Sequence, residues 1–209
     1  IANETAGLVA VTLSFTLLGV KLQPAGYGAF LGLTSVVGPL AAFASGGVFL
    51  TLLEFIARRD DSAADVTRSC VTLALGTGTL AAMLASTVVL LSVPGLGAVT
   101  VVLLCCNDLV LASLFFTLAG AVQIELGFAS SARIRIGMHL SRSAMLVFLF
   151  LTDNVRLFPY AIGQMVTLML FCAILTFVVQ RHFGRSIYFG RSRVAHLRSV
   201  SLYAVGLSA

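Results

Sequence analysis

Charged residues are scarce in this chain of 209 residues. Asp, Glu, Lys and Arg make up 10% of it, whereas 59% of the residues are apolar and the mean hydropathy is +1.05. A soluble globular domain contains about 25% charged residues, and a domain of this size has too little interior to hide so many apolar side chains from water. A disordered chain is excluded as well, because such chains stay solvated through their charges. The composition therefore predicts a protein embedded in lipid.

The residue patterns of common enzymes and metal sites are also missing. No serine lies in a nucleophile-elbow context, no glycine-rich loop follows a strand, and the basic residues form no stripe with interleaved aromatics that would indicate nucleic-acid binding. No two histidines share i, i+4 spacing with a carboxylate, so no metal site is predicted. The cysteines lie inside apolar runs without zinc or redox spacing, which favours a packing role; they are Cys70, Cys105, Cys106 and Cys172. We expect a protein that is not an enzyme and has no cofactor.

Apolar runs divide the chain into membrane spans. A bilayer core of about 30 Å needs about 20 apolar helical residues. Six runs fit, followed by the start of a seventh at residue 200; they cover residues 4–20, 27–56, 70–93, 98–121, 138–152 and 160–179. The fifth is the weakest, because its purely apolar part covers only 143–152. We predict an all-α, polytopic membrane bundle, with a six-helix lobe in residues 1–199 and the beginning of a seventh helix in 200–209.

The ends of the chain and its second run have further implications. The chain begins at Ile1 without a methionine and ends inside an apolar run at Ala209, so we expect it to be a piece of a longer protein.

The second run would reach roughly 43 Å as a straight helix at about 1.5 Å per residue. Gly38 and Pro39 near its middle predict a kink that acts as a hinge. Such a kink either lines a cavity or has only a structural role.

The distribution of basic residues predicts the orientation. Of 13 Lys and Arg residues, eleven fall in three connections on the side of the N-terminus, at 57–69, 122–142 and 180–199. Only Lys21 and Arg156 fall on the opposite side, where they either extend to the membrane interface or receive a phosphate. The positive-inside rule then places the N-terminus in the cytoplasm.

Asp108 is the outstanding polar residue inside a span. It follows Asn107 near the middle of the fourth run, where a charged carboxylate costs about 2.5–3.5 kcal/mol on insertion scales. Its helical position points away from the small-residue stripe that includes Cys106. We therefore expect Asp108 to face a polar cavity, with a role in proton or cation coupling, or to be a neutral acid bonded to a neighbouring helix.

Other polar residues give weaker patterns. Gln123 and Glu125 at the end of the fourth run, and Gln164 in the sixth, are candidates for contact with a polar headgroup or sugar. Glu54 and Arg58 are spaced i, i+4 at the end of the second run, which favours a local ion pair over a substrate role.

Small residues recur at helical spacing in two of the runs. Close backbone approach holds helices together in lipid, so these stripes predict helix-packing faces. They are Ala74, Gly78 and Ala82 in the third run and Cys106, Ser113, Thr117 and Gly120 in the fourth.

Four segments follow one another in an order and spacing that resemble a known family of membrane proteins. They are LQPAGYGAF at 22–30, FLTLLEFIARRDD at 49–61, LAGAVQIELGFASSARI at 118–134 and HLRSVSLYAVG at 196–206. In turn they resemble the link between the first and second spans, the exit of the second span, the fourth-to-fifth connection and the entry to the seventh span of bacterial polysaccharide flippases. These flippases belong to the multidrug, oligosaccharidyl-lipid and polysaccharide exporter superfamily, and the resemblance covers nearly the whole chain.

This resemblance implies the N-terminal lobe of a two-lobe transporter in the bacterial inner membrane. Such a transporter flips a polyprenyl-diphosphate-linked oligosaccharide by alternating access, for lipopolysaccharide or exopolysaccharide biosynthesis, beside other polysaccharide-assembly proteins. Family cavities commonly carry basic residues for the diphosphate, but the predicted spans contain no central Arg or Lys, and Arg142 at the start of the fifth is the nearest. An alternative is a related exporter of a drug-like cation or a peptidoglycan precursor, coupled to H+ or Na+.

Overall fold

The computed structural model describes residues 2–57, 63–93, 95–153 and 155–183, and this part of the chain is helical without strands. It forms six helices in antiparallel succession. Their bounds are Ala2–Lys21 (α1), Pro24–Ala57 (α2), Ala63–Ser92 (α3), Ala98–Leu126 (α4), Phe128–Leu151 (α5) and Leu157–Phe183 (α6). The all-helical prediction is thus confirmed for the described residues.

Four of these helices are long and apolar enough to cross a membrane. They cover Ala64–Ser92, Ala98–Leu126, Phe128–Leu151 and Leu157–His182, and α1 contains a shorter apolar stretch at Gly7–Lys21. Large apolar side chains on their outer faces are exposed, which is the arrangement that lipid requires. These helices indicate a membrane-embedded protein. The count of six spans plus a seventh stays a prediction, and the seventh, from residue 200, lies outside the described residues.

Short turns connect helices where the structure describes the links. Pro24 opens α2, a position where its missing N–H and fixed φ are tolerated. Gly127, with φ of +83°, is the whole link between α4 and α5; an L side chain is strained in this conformation. Asp153 adopts φ of +55° in the α5–α6 turn, which Asp tolerates better than most residues.

The α4–α5 link corrects the sequence analysis. A cytoplasmic connection was predicted at 122–142, but α4 continues to Leu126 and α5 already begins at Phe128. The first half of α5 is too polar to register as an apolar run, yet it packs against the other helices and part of its polar surface is buried, although Arg133 is exposed. Ser131, for example, is buried and its hydroxyl donates to Ala119 O at 2.9 Å. Arg142 therefore lies inside a span and not at its start.

Some of the basic residues that were predicted to lie in connections lie in helices instead. Five of them belong to helices: Arg68 in α3, Arg133, Arg135 and Arg142 in α5, and Arg181 in α6. The cytoplasmic position of the N-terminus stays a prediction. Arg58 lies outside the described residues, and so does the predicted contact between its side chain and that of Glu54.

Helix α4 is the centre of the bundle and contacts α2, α3, α5 and α6. Helix α1 packs mainly on α5, whereas helix α2 packs on α3 and α4, so α1 and α2 touch each other at few positions. Pro39 lies within the continuous helix α2, and the kink at Gly38 and Pro39 stays a prediction. The separation of α1 from α2 leaves room for a cavity.

The small-residue stripe of α3 packs as predicted. Ala74, Gly78 and Ala82 are all buried. A Cβ atom added to Gly78 would lie 2.5 Å from the carbonyl oxygen of Leu109 and 3.1 Å from Cα of Val110. Only glycine permits this approach of α3 to the backbone of α4.

Candidate solute-binding cavity

A cavity of about 260 Å³ lies within the bundle, with walls from α1, α2, α4, α5 and α6. Val11 of α1 lines it and is also exposed. The apolar lining comprises Ala10, Val11, Phe15, Phe30, Leu33 and Leu104. The polar lining comprises Ser14, Thr34, Asn107, Asp108, His139, Arg142, Tyr160 and Gln164.

Asp108 and Arg142 form an ion pair across the cavity. The Nη2 atom of Arg142 lies 3.6 Å from Oδ1 of Asp108, and the two side chains are 24% and 32% exposed. Each therefore keeps part of its charged surface toward the cavity. A pair in the membrane interior compensates two charges that would each be costly alone. The structure places Asp108 against a partner group and a polar cavity at once.

Arg142 is held by neighbours on α6. Its Nε–H donates to Oε1 of Gln164, a residue that is almost fully buried. The hydroxyl of Tyr160 interacts with the side chains of Arg142 and Ser14. These contacts fix the plane of the guanidinium, because a fork of rigid donors is oriented once one of its edges is bonded.

Asn107 lines the cavity and carries one side-chain atom without a hydrogen-bond partner among the described residues. Its side-chain amide donates to Oδ1 of Asp108 at 3.0 Å. Its own Oδ1 atom is buried and has no hydrogen-bond partner among the described residues. A buried carbonyl oxygen without a donor costs free energy, and a donor group or a cation that reached this atom would remove that cost.

Asn107 and Asp108 lie in a π-helical turn, Cys106–Leu111, that interrupts α4. The N–H of Ala112 bonds Asn107 O, five residues back. Ser113 Oγ donates to Leu109 O at 2.7 Å, and the thiol of Cys172 on α6 lies 3.6 Å from Leu111 O. Turns of this type inside α-helices are frequent at functional sites. This one carries Asn107 and Asp108, which both line the cavity.

Three aromatic rings pack against one another in one wall of the cavity. The ring centroids of Phe15 and Phe30 are 5.7 Å apart, and those of Phe30 and Tyr160 are 6.2 Å apart in an edge-on arrangement. Aromatic pairs of this geometry are favourable beyond the area they bury. The cluster connects α1, α2 and α6 and directs the hydroxyl of Tyr160 toward Arg142.

Four of the six cavity candidates from the sequence meet here: Asn107, Asp108, Arg142 and Gln164. Gln123 and Glu125 do not, since Glu125 lies seventeen residues beyond Asp108, or about 25 Å along a helix. Glu125 instead lies beside His182 at the end of the bundle.

The two cations predicted on the opposite side also lie apart from the cavity. Lys21 Nζ is 2.6 Å from Oδ1 of Asp153 and 5.1 Å from the ring centroid of Phe150, so it already has an anionic partner. Arg156 is exposed in the α5–α6 turn.

The other polar lining residues have little signal in the sequence. His139 was assigned to a cytoplasmic connection, but it lies in α5 and lines the cavity beside Arg142. Ser14, Thr34 and Tyr160 are single polar residues in or next to apolar runs. The only local signal was their polarity at a depth where lipid-facing residues are apolar.

The cavity combines one guanidinium, one carboxylate and several neutral acceptors and hydroxyls. A guanidinium binds phosphate or carboxylate oxygens, whereas Asp108 and the Oδ1 atom of Asn107 accept hydrogen bonds from hydroxyls or bind cations. Among the described residues no three His, Cys, Asp or Glu side chains are grouped so that they can hold a metal ion. The arrangement is therefore suited to reversible binding of a polar, charged solute.

Family models, curated proteins and solved structures give no match to this chain.

Proposed function

We propose that the chain is the N-terminal lobe of a membrane transporter that flips a polyprenyl-diphosphate-linked oligosaccharide across the bacterial inner membrane by alternating access. The observation that carries this proposal is Arg142, a cation in the middle of α5 that faces a polar cavity and is paired with Asp108. The resemblance in sequence implies such a cation.

The physical task of a flippase is to carry sugar and phosphate past hydrocarbon. Burial of these groups without partners costs several kcal/mol per group, and a polar groove at the level of the bilayer removes much of that cost. In the proposed cycle, the diphosphate displaces Asp108 from Arg142, and Gln164 keeps the guanidinium in place. Asn107 Oδ1 and the released carboxylate accept hydrogen bonds from sugar hydroxyls. The polyprenyl tail stays in the bilayer.

The second lobe supplies the rest of the groove in this proposal, and the N-terminus faces the cytoplasm, where the glycan is assembled on its lipid. Other polysaccharide-assembly proteins are the expected partners. No chemical bond is made or broken, so the proposed protein is a transporter and not an enzyme.

A second function is favoured by one specific observation. The partnerless Oδ1 of Asn107 and the partly exposed carboxylate of Asp108 are adjacent oxygen ligands. This supports a related exporter of a drug-like cation or a peptidoglycan precursor, with H+ or Na+ bound at Asp108 during the cycle.

Substitutions of Arg142 and Asp108 separate the two functions. Arg142→Gln and Arg142→Lys test the diphosphate contact, with Arg156→Gln as the control for loss of a cation outside the cavity. Asp108→Asn tests the acid, with Glu125→Gln as its control. The variants are introduced into the full-length protein in a deletion strain, and export of the lipid-linked glycan is measured at equal membrane abundance.

Under the flippase proposal, Arg142→Gln lowers export about ten-fold or more, because a hydrogen bond to a charged group contributes about 1.5–3 kcal/mol. Arg142→Lys retains part of the activity, and both controls resemble the unsubstituted protein. Full export by Arg142→Gln would contradict the flippase proposal. If Asp108→Asn alone abolishes activity while Arg142→Gln is tolerated, the cation-coupled exporter is favoured.

A further inference from the structure

A second concave site lies on the opposite side of the π-helical turn. It is a groove of about 590 Å³ between α3, α4 and α6, and it is separate from the cavity described above. Its walls include Met83 and Thr87 of α3, Val102 and Cys106 of α4, and Met165 of α6. Cys106 therefore borders the groove, while the next two residues border the cavity.

The surface of the groove is apolar despite its hydroxyl side chains. Thr79 and Thr87 donate their hydroxyl hydrogens to carbonyl oxygens of their own helix, Leu75 and Met83, at 2.7 and 2.9 Å. The hydroxyl of Ser86 interacts with the thiol of Cys105. Hydroxyls satisfied in this way leave methyl and methylene groups for a ligand, so an apolar occupant fits better than a polar one.

The groove has the length and direction of a lipid chain. Its α3 wall runs from Thr79 to Thr87, which corresponds to about 12 Å along the helix axis. One leaflet of a bilayer contains hydrocarbon about 15 Å deep, half of the total of about 30 Å. Because the walls are membrane-spanning helices, the groove runs across the membrane, as acyl chains do.

All three walls place the groove in the same leaflet. Residues 79–87 lie in the second half of α3, residues 102–111 in the first half of α4, and Met165 in the first half of α6. In an antiparallel bundle these halves are adjacent to the α3–α4 and α5–α6 turns. Met83 at the rim is 63% exposed and Val102 is 43% exposed, so the groove is continuous with the lipid-facing surface.

We infer that this groove binds one acyl chain of a membrane glycerophospholipid from the leaflet at the α3–α4 turn. The chain lies against Met83, Cys106 and Met165. This inference depends on the membrane position of α3, α4 and α6 and not on the solute that the cavity binds. A bound chain also supports the π-helical turn from the side opposite to Asp108.

The 209 residues contain no tryptophan, which gives a direct test in a full-length protein whose tryptophans outside this chain are replaced by phenylalanine. Met83→Trp places a single indole at the rim of the groove. Leu80→Trp is the matched control, because Leu80 is 69% exposed on the same helix but does not line the groove. The purified full-length protein in detergent is titrated with phosphatidylcholine brominated on its acyl chains, and quenching of tryptophan fluorescence is recorded.

A bound acyl chain predicts saturable quenching of Met83→Trp. The concentration of brominated phosphatidylcholine at half-maximal quenching is about ten-fold lower than for Leu80→Trp, equivalent to about 1.4 kcal/mol of preference. Addition of Thr87→Phe, which fills the groove, removes the difference, and unbrominated phosphatidylcholine reverses the quenching. If Met83→Trp does not fold, as judged by circular dichroism, Val102→Trp on the opposite wall replaces it.

Identical titration curves for the groove probe and for Leu80→Trp would overturn the inference. Reversal of quenching by a polyprenyl phosphate at much lower concentration than by phosphatidylcholine would also overturn it, since the groove would then prefer an isoprenoid chain. Neither outcome bears on export by Arg142 variants, so this test is independent of the proposed function.

Discussion

At the scale of single residues, the charges of Asp108 and Arg142 make the bundle compatible with both lipid and a polar solute. Their Nη2–Oδ1 distance of 3.6 Å is longer than a tight hydrogen bond, and both side chains remain partly accessible from the cavity. A pair of this kind is neutral in total but separates easily when an anion approaches the guanidinium. Gln164 and Tyr160 keep Arg142 in place during such an exchange.

Removal of one member of the pair is expected to destabilise the protein more than removal of both. Arg142→Gln and Asp108→Asn each leave a charge or acceptor without its partner, at a cost of about 1–3 kcal/mol. The double variant Asp108→Asn/Arg142→Gln recovers part of that loss. Thermal unfolding of the purified proteins in detergent measures this, and losses that simply add in the double variant would contradict the pairing.

The ion pair between Lys21 and Asp153 predicts a pH dependence at one end of α1. The hydrogen bond and the positive charge from Lys21 lower the pKa of Asp153. A carboxylate with a depressed pKa in the folded state stabilises the protein above its unfolded pKa, near 3.9, and loses that contribution as the pH falls through the folded value. The contribution is small because Asp153 is well exposed.

We therefore expect Asp153→Asn to lower the midpoint temperature of unfolding slightly at pH 7. In strong acid, below the pKa of Asp153 in the folded protein, the substitution is expected to have no effect. Asn also tolerates the positive φ of this position, so the substitution isolates the charge. A midpoint difference that persists unchanged in strong acid would show that the pair is not its origin.

At the scale of helices, the contact of α3 with the irregular turn of α4 determines how the cavity is built. Gly78 lets the backbone of α3 reach Leu109 and Val110, which are part of the π-helical turn. The same turn presents Asn107 and Asp108 to the other side. A shift of α3 would therefore move the π-helical turn and with it the side chain of Asp108.

Gly78→Ala is expected to destabilise the protein by about 1–3 kcal/mol, the usual cost of overpacking. Gly76→Ala is the control on the same helix, because a Cβ atom there would meet nothing within 4 Å. It is expected to be neutral or to stabilise the helix by about 0.5–1 kcal/mol. Equilibrium unfolding in mixed micelles compares the two, and equal stabilities would contradict the close approach.

The sequence predicted much of the helical framework but less of the site. Apolar runs indicate where helices cross lipid, and Asp108 at mid-span indicates a polar surface, since a carboxylate there is costly. Arg142 was placed at the start of its helix because residues 128–141 are too polar to be recognised as part of a span. The π-helical turn has no sequence signature, and Ser14, His139 and Tyr160 become neighbours only through tertiary packing.

At the scale of the whole molecule, the bundle is a set of antiparallel helices whose turns alternate between two faces. The orientation prediction assigns the face of the N-terminus to the cytoplasm. In a variant without native cysteines, cysteines at Asp60 and Tyr188, outside the described residues, and at Arg133 at the start of α5 are expected to label only from the cytoplasm. Those at Leu96 and Arg156 are expected to label only from the opposite side. Labelling of Arg133→Cys and Arg156→Cys from one side would contradict the topology.

The proposed transport depends most on one property of the bundle, namely water at the cavity beside Arg142. Ser14 lines that cavity, whereas Thr16 is exposed on α1 only about 3 Å further along the axis. Their hydroxyls make the same bond, to the carbonyl oxygen four residues back. Ser14→Cys and Thr16→Cys in a variant without native cysteines are therefore closely matched probes.

The decisive measurement is the rate at which a charged, membrane-impermeant thiosulfonate modifies these two cysteines in the membrane. Only a thiol in contact with water ionises to the reactive thiolate. A water-filled cavity predicts rapid modification of Ser14→Cys, slowed by the lipid-linked glycan, and little reaction of Thr16→Cys. Equal rates at the two positions, or a Ser14→Cys that does not react, would contradict a water-filled solute pathway.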